Sequence, residues 1–210
     1  MRKSYLGLLL VFLGAVGLDQ VSKFHAHHTL MTWESPDSVK LYTGRSVPVG
    51  SIGSRDDDGA TPFNINFSIT YSRNTGAAFS MLADLDDRIR IPFFYAVTLI
   101  AVIAIFFFFR GTPVDQRFTR FGLILVLSGA IGNFLDRTHW GFVVDFFDVD
   151  WNILGWRHNF AVFNVADVCI NIGVGCYIVD LIIQSRKAKQ KQAADPAVAV
   201  EKKADGACCS

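Results

Sequence analysis

The chain has 210 residues, 51% of them apolar, with a mean hydropathy of +0.32 and a net charge of +1. That length holds one domain or one small membrane bundle, and the hydropathy is high for a soluble domain. The near-zero charge makes no case for nucleic acid or another polyanion as a partner.

From the N-terminus, Arg2 and Lys3 precede an apolar run from Tyr5 to Leu18. No small-x-small cleavage site follows it, so it reads as a retained first membrane span, approximately 4–22, rather than a removed signal peptide. Asp19 and Lys23 are four apart and share a helix face, as a rim ion pair or as the brace of a site. Residues 23–90 form a first outer segment. Within it, 29–61 reads as loop with little regular structure, being rich in Gly, Ser and Pro with the acidic run Asp56–Asp58. His25, His27 and His28 are expected in exposed loop rather than at a metal, because no acidic or Cys ligand lies at helical spacing.

Phe63–Tyr71 alternates apolar and polar residues, which predicts a half-buried strand. Arg73–Phe79 follows, where Gly76 permits a turn and close backbone approach. Met81–Arg90 reads as a short amphipathic helix leading into the second span, 91–109, which has no charge. A short loop with Arg110, Arg117 and Arg120 leads to the third span, 118–136, where Ser128, Gly129 and Gly132 allow close helix packing. At its end Asn133, Asp136 and Arg137 share a face.

The second outer segment, 137–162, contains strand-like Phe142–Val149 with Asp145; Asp148 and Asp150 read as loop carboxylates. The fourth span, 163–183, carries Asn164, Asp167 and Asn171 at i, i+3 and i+7, a polar stripe expected to face the bundle interior. Asp180 reads as an interfacial charge near Arg186. Residues 184–210 form a basic tail expected to be disordered. Of the cysteines, Cys169 and Cys176 read as small core residues, and Cys208 and Cys209 lie in the tail. None has metal-ligand spacing.

Basic residues flank the N-terminus, the middle loop and the tail, which predicts a four-helix membrane bundle with both termini in the cytoplasm. The two long segments then lie outside, and Asp19, Lys23, Asn74, Asn133, Asp136, Arg137, Asp145, Asn164 and Asp167 gather at the outer boundary. An ionisable group inside a membrane helix is costly and marks a functional site. Two carboxylates brought together share one proton, the acid–base chemistry of an aspartic protease. A proton- or ion-coupled transporter is the alternative, although it predicts polar residues through the membrane depth.

Five blocks carry a resemblance: Leu18–Lys23, Arg73–Ser80, Gly129–Arg137, Val143–Phe146 and Phe163–Asp167. In this order the chain resembles the bacterial lipoprotein signal peptidases (signal peptidase II). The resemblance implies a multi-pass inner-membrane aspartic endopeptidase whose active site faces the periplasm. Its peptidase domain would be residues 1–183, with a small extracytoplasmic β-sheet cradle above the all-α bundle. Its substrates would be prolipoproteins, cut before a diacylglyceryl-modified cysteine. Asp145 and Asp167 would be the catalytic dyad. Asp19, Lys23, Asn74, Gly76, Asn133, Asp136, Arg137 and Asn164 would support the site or bind substrate. Membrane lipids are the other expected partners, with no metal, cofactor or nucleic acid, and the chain is expected to be a monomer. Segment 29–61 is longer than usual for the family and the tail is extra.

Overall fold

A computed structural model describes residues 2–31, 41–53, 63–76 and 86–194. The element order is α1 (Arg2–Leu30), β1 (Leu41–Gly53), β2 (Phe63–Asn74), α2 (Asp87–Gly111), α3 (Arg117–Trp140), β3 (Val143–Ile153), β4 (Trp156–Asn159) and α4 (Val165–Ala194). All 4 helices are long and apolar enough to cross a membrane. Large side chains such as Leu10, Leu99, Phe107 and Ile172 are exposed on their outer faces, as lipid-facing residues must be.

Small residues set the helix spacing. A Cβ on Gly129 would strike the carbonyl oxygen of Ala166, and one on Gly122 would strike that of Gly173. α3 and α4 therefore touch backbone to backbone where the sequence placed its small residues.

The strands form one antiparallel sheet in the order β1-β2-β3-β4. Gly141, at φ 78°, ends α3 with its N–H on the Arg137 carbonyl and turns the chain directly into β3. β2 and β3 pair Ile69 with Phe147 but Ser72 with Asp145, so β2 carries one extra residue between the two points. Phe146 and Phe147 both donate their N–H to the Phe163 carbonyl, and Phe163 donates back to Phe147. β3 is thereby tied to the segment that enters α4.

The apolar core lies where the sheet rests on the bundle, with Ala26 and Leu30 of α1 packed against Tyr71, Val144 and Phe146. Tyr71 accepts from Arg73 Nε at 3.1 Å and lies 2.7 Å from His27 Nδ1, while His27 stacks on Trp140.

Several expectations are corrected. α1 runs on to Leu30, past the expected end at 22, so His25, His27 and His28 are helical and His27 braces the sheet. Part of the expected loop is a 13-residue edge strand, β1, which tolerates Pro48 at a register shift. On β2 the apolar alternation does not produce one buried face: Phe63 and Phe67 are exposed, and burial is confined to the end near Tyr71. Asp148 and Asp150 lie in strand β3, where Asp148 accepts from Thr70. Asn171 is exposed and does not face the interior. Asp180 is buried and accepts from Thr119 rather than sitting as an interfacial charge by Arg186. α4 continues to Ala194, so the first part of the expected disordered tail is helix. Residues 195–210, Asp56–Asp58 and the first half of Met81–Arg90, 81–85, lie outside the described residues, while Asp87–Arg90 form the start of α2 rather than a separate short helix.

Candidate active site

Asp145 lies on β3, four residues past Gly141, and is 3% exposed. Its Oδ2 accepts from Asn74 Nδ2 at 3.0 Å and its Oδ1 from Asn164 Nδ2 at 2.6 Å. Asn74 reaches it diagonally across the β2–β3 pair, since Ser72 stands directly opposite. Burial first, and the charge of Asp167 second, push the Asp145 carboxyl up to about 7.

Asp167 lies in the first turn of α4. Asn164 and Asp167 exchange bonds in a capping box: Asn164 N donates to Asp167 Oδ2 at 3.1 Å, and Asp167 N donates to Asn164 Oδ1 at 3.0 Å. The other Asp167 oxygen accepts from Asn133 Nδ2 at 3.1 Å. Asn164 therefore touches both aspartates.

The three asparagines are held in one orientation each. Lys23 Nζ, Asp167 N and Gly76 N can only donate, and they point at the side-chain oxygens of Asn133, Asn164 and Asn74 respectively. Each NH₂ group must then face the other way, towards an aspartate. The aspartates are surrounded by donors, an arrangement that orients carboxylate lone pairs.

Behind this layer sits a buried charge cluster. Lys23 Nζ is 2.8 Å from Asp19 Oδ2, 2.9 Å from Asp136 Oδ2 and 2.8 Å from Asn133 Oδ1, so its three N–H bonds are all used. Asp19, Lys23 and Asp136 are each at most 1% exposed. A rim pair would be solvated; this one braces the interior. Asp19 Oδ1 accepts from Ala166 N at 2.8 Å, and Asp136 Oδ2 accepts from Val144 N at 3.2 Å.

Arg137 donates to the Asn133 carbonyl at 3.2 Å and to the Gly76 carbonyl at 2.8 Å, and its guanidinium lies over Phe94. It fastens the turn after β2 to α3. Its buried Nε has no partner among the described residues.

The structure thus brings together all the residues singled out at this boundary. Gln20 was missed: its amide donates to Asp136 Oδ1 at 2.9 Å, to Asp19 Oδ2 at 3.2 Å and to the Gly132 carbonyl at 3.1 Å. A glutamine beside a polar pair in an apolar helix was the available signal.

The model of the signal peptidase (SPase) II family matches residues 11–183, which contain every one of these side chains. The chain belongs to the signal peptidase II family. It is therefore a peptidase, a multi-pass protein of the bacterial inner membrane, and the transporter alternative is set aside. A lipoprotein signal peptidase of Geobacter sulfurreducens is 38% identical over 187 residues, 89% of this chain and 98% of the relative. That of Geobacter metallireducens is 48% identical over 121 residues, 58% of this chain and 71% of the relative. A solved bacterial membrane enzyme, obtained by the in meso method, superposes with a TM-score of 0.61 at 30% identity, covering 85% of this chain and 89% of its own.

Proposed function

We propose that this peptidase removes signal peptides from prolipoproteins, cutting before a diacylglyceryl-modified cysteine, with Asp145 and Asp167 as a catalytic dyad. The observation that carries the dyad is Asn164, which donates to Asp145 and shares a capping box with Asp167. One residue thereby fixes two carboxyl groups from different elements.

In the working state the pair holds one proton, on Asp145, whose carboxyl is pushed up to about 7. Asp167 takes a proton from water as the water attacks the scissile carbonyl. Asp145 donates to the carbonyl oxygen as the tetrahedral intermediate forms. When the intermediate collapses, Asp167 gives its proton to the leaving amine while Asp145 takes one from a hydroxyl of the gem-diol, so the carboxyl product forms and the dyad again holds one proton, on Asp145. No metal or cofactor takes part. Arg137 Nε, buried without a partner among the described residues, is a donor for substrate backbone. Asn74 and Gly76 place the β2 end of the cradle beside the cut bond. Asp19, Lys23, Asn133 and Asp136 hold the geometry.

Both termini are cytoplasmic in this reading, because the basic residues of the N-terminus, of the α2–α3 loop and of α4 beyond Arg186 lie at one end of the bundle. The sheet and the dyad then face the periplasm, and the enzyme works as a monomer.

The test is cleavage of a diacylglyceryl-modified prolipoprotein by the purified protein beside Asp145→Asn and Asp167→Asn. Each variant should fold and lose at least about 10²- to 10⁴-fold in rate. Wild-type rates in either folded variant would remove that aspartate from the mechanism. Failure of well-folded wild type to cut the lipidated substrate would overturn the substrate assignment.

A further inference from the structure

At the end of the bundle opposite the aspartates, Arg120 of α3 is 7% exposed. Its guanidinium lies between two rings, 4.5 Å from the centroid of Phe109 at the end of α2 and 5.1 Å from that of Tyr5 at the start of α1. Both rings lie within cation–π reach and supply no hydrogen-bond acceptor in the plane of the guanidinium. Arg120 Nε has no partner among the described residues. Nor does Arg120 belong to either of the ion pairs found among those residues. The buried acid at this end, Asp180, accepts from Thr119 and forms no ion pair with Arg120 among the described residues.

Buried charges are ordinarily paired, since leaving the charged form without a counter-charge is costly. Three helix ends meet here at interfacial depth, so the missing anion belongs to the headgroup layer. The neighbouring sequence fits an anion as well: Arg110 follows Phe109 and Arg117 begins α3 three residues before Arg120, with Asp115 as the acid of the α2–α3 connection. We propose that Arg120, clamped by Tyr5 and Phe109, binds the phosphate of an anionic phospholipid. The site joins the ends of α1, α2 and α3 and is separate from the peptidase centre. With the orientation given above, the lipid belongs to the cytoplasmic leaflet, where anionic lipids attract basic groups.

The experiment compares the purified full chain with Arg120→Met, which keeps a long apolar side chain between the rings. Thermal midpoints and native-mass lipid adducts are read in lipid-free detergent, and with phosphatidylglycerol, phosphatidylcholine or inorganic phosphate added. Wild type should gain stability and retain adducts with phosphatidylglycerol above phosphatidylcholine. Arg120→Met should bind phosphatidylglycerol about tenfold more weakly or worse. In lipid-free detergent Arg120→Met should melt no lower than wild type, because an uncompensated buried cation has been removed. A variant that melts lower without lipid and still gains as much from phosphatidylglycerol would show Arg120 to be structural and overturn the proposal. Equal effects of the two lipids would overturn the anionic preference, and full reproduction by inorganic phosphate would overturn the lipid as ligand. Tyr5→Leu, which opens one side of the clamp and keeps the cation, should weaken binding in the same direction; unchanged binding would also count against the site.

Discussion

Asp19 and Asp136 hold the same lysine, and each uses its carboxylate to grip the backbone N–H just ahead of one of the two proposed catalytic aspartates: Ala166 before Asp167, and Val144 before Asp145. The charge cluster thus sets the separation of the two aspartates through the main chain. Lys23→Met should leave two buried carboxylates without their cation, at about 3–5 kcal/mol. Thermal denaturation in detergent measures this. Combined with Asp136→Asn, the loss should be smaller than the sum of the single losses, because the two groups share one network.

The pH profile follows from Asp145. Its carboxyl, raised to about 7 by burial and then by Asp167, keeps its proton below that value and loses it above. Cleavage should therefore fall about tenfold per pH unit on the alkaline side of about 7. Stability has the same sign. A folded pKa above the unfolded one means that the folded state holds more protons, so the stabilisation present below about pH 4 is lost as pH rises to about 7. Asp145→Asn should remove that slope from the melting temperature, and a wild-type melting curve flat across this window would contradict the assignment.

Asn164→Ala should disconnect the dyad without removing either carboxylate. It takes away the 2.6 Å bond to Asp145 and half of the capping box. Each buried group left without a partner costs about 1–3 kcal/mol. Activity should drop by more than the change in stability explains, measured as kcat at temperatures where the variant is fully folded. Asn164→Ser, which caps helices well but cannot reach both neighbours, should restore the melting temperature more than the rate.

Gly132→Ala should act on the site through packing. The new methyl would meet the Asp19 carboxylate and, at 3.4 Å, the Ala166 side chain. Overpacking of this kind costs about 1–3 kcal/mol. Gly14→Ala, on a helix face with nothing within 4 Å, should be neutral or slightly stabilising. Melting temperatures of the two variants side by side test the contrast.

Four apolar helices were legible from hydropathy alone, because each run is continuous and lipid requires it. Asn133, Asp136 and Arg137 were legible as one face because helical spacing fixes which side chains are neighbours. The limits were equally physical. β1 was hidden by Pro48 and its glycines, whose turn signals outweighed strand propensity until pairing with β2 supplied the hydrogen bonds. β4 is only 4 residues long and wholly exposed, so it has no periodicity to read. Asn171 was placed inside by spacing, but Asn164 precedes the helix as its cap, so the stripe counted a residue that does not lie on it. Arg120 and Asp180 looked like surface charges because burial depends on helix ends that meet only in three dimensions.

The bond from Asp19 to Ala166 joins positions 147 residues apart. During biosynthesis the first helix enters the membrane long before the fourth is made. Until then Asp19 has no N–H to hold and Asp167 does not yet exist. With Asp145 and Asp167 as the proposed dyad, no fragment short of the fourth span carries both carboxyl groups, so cleavage has to wait for the last membrane crossing.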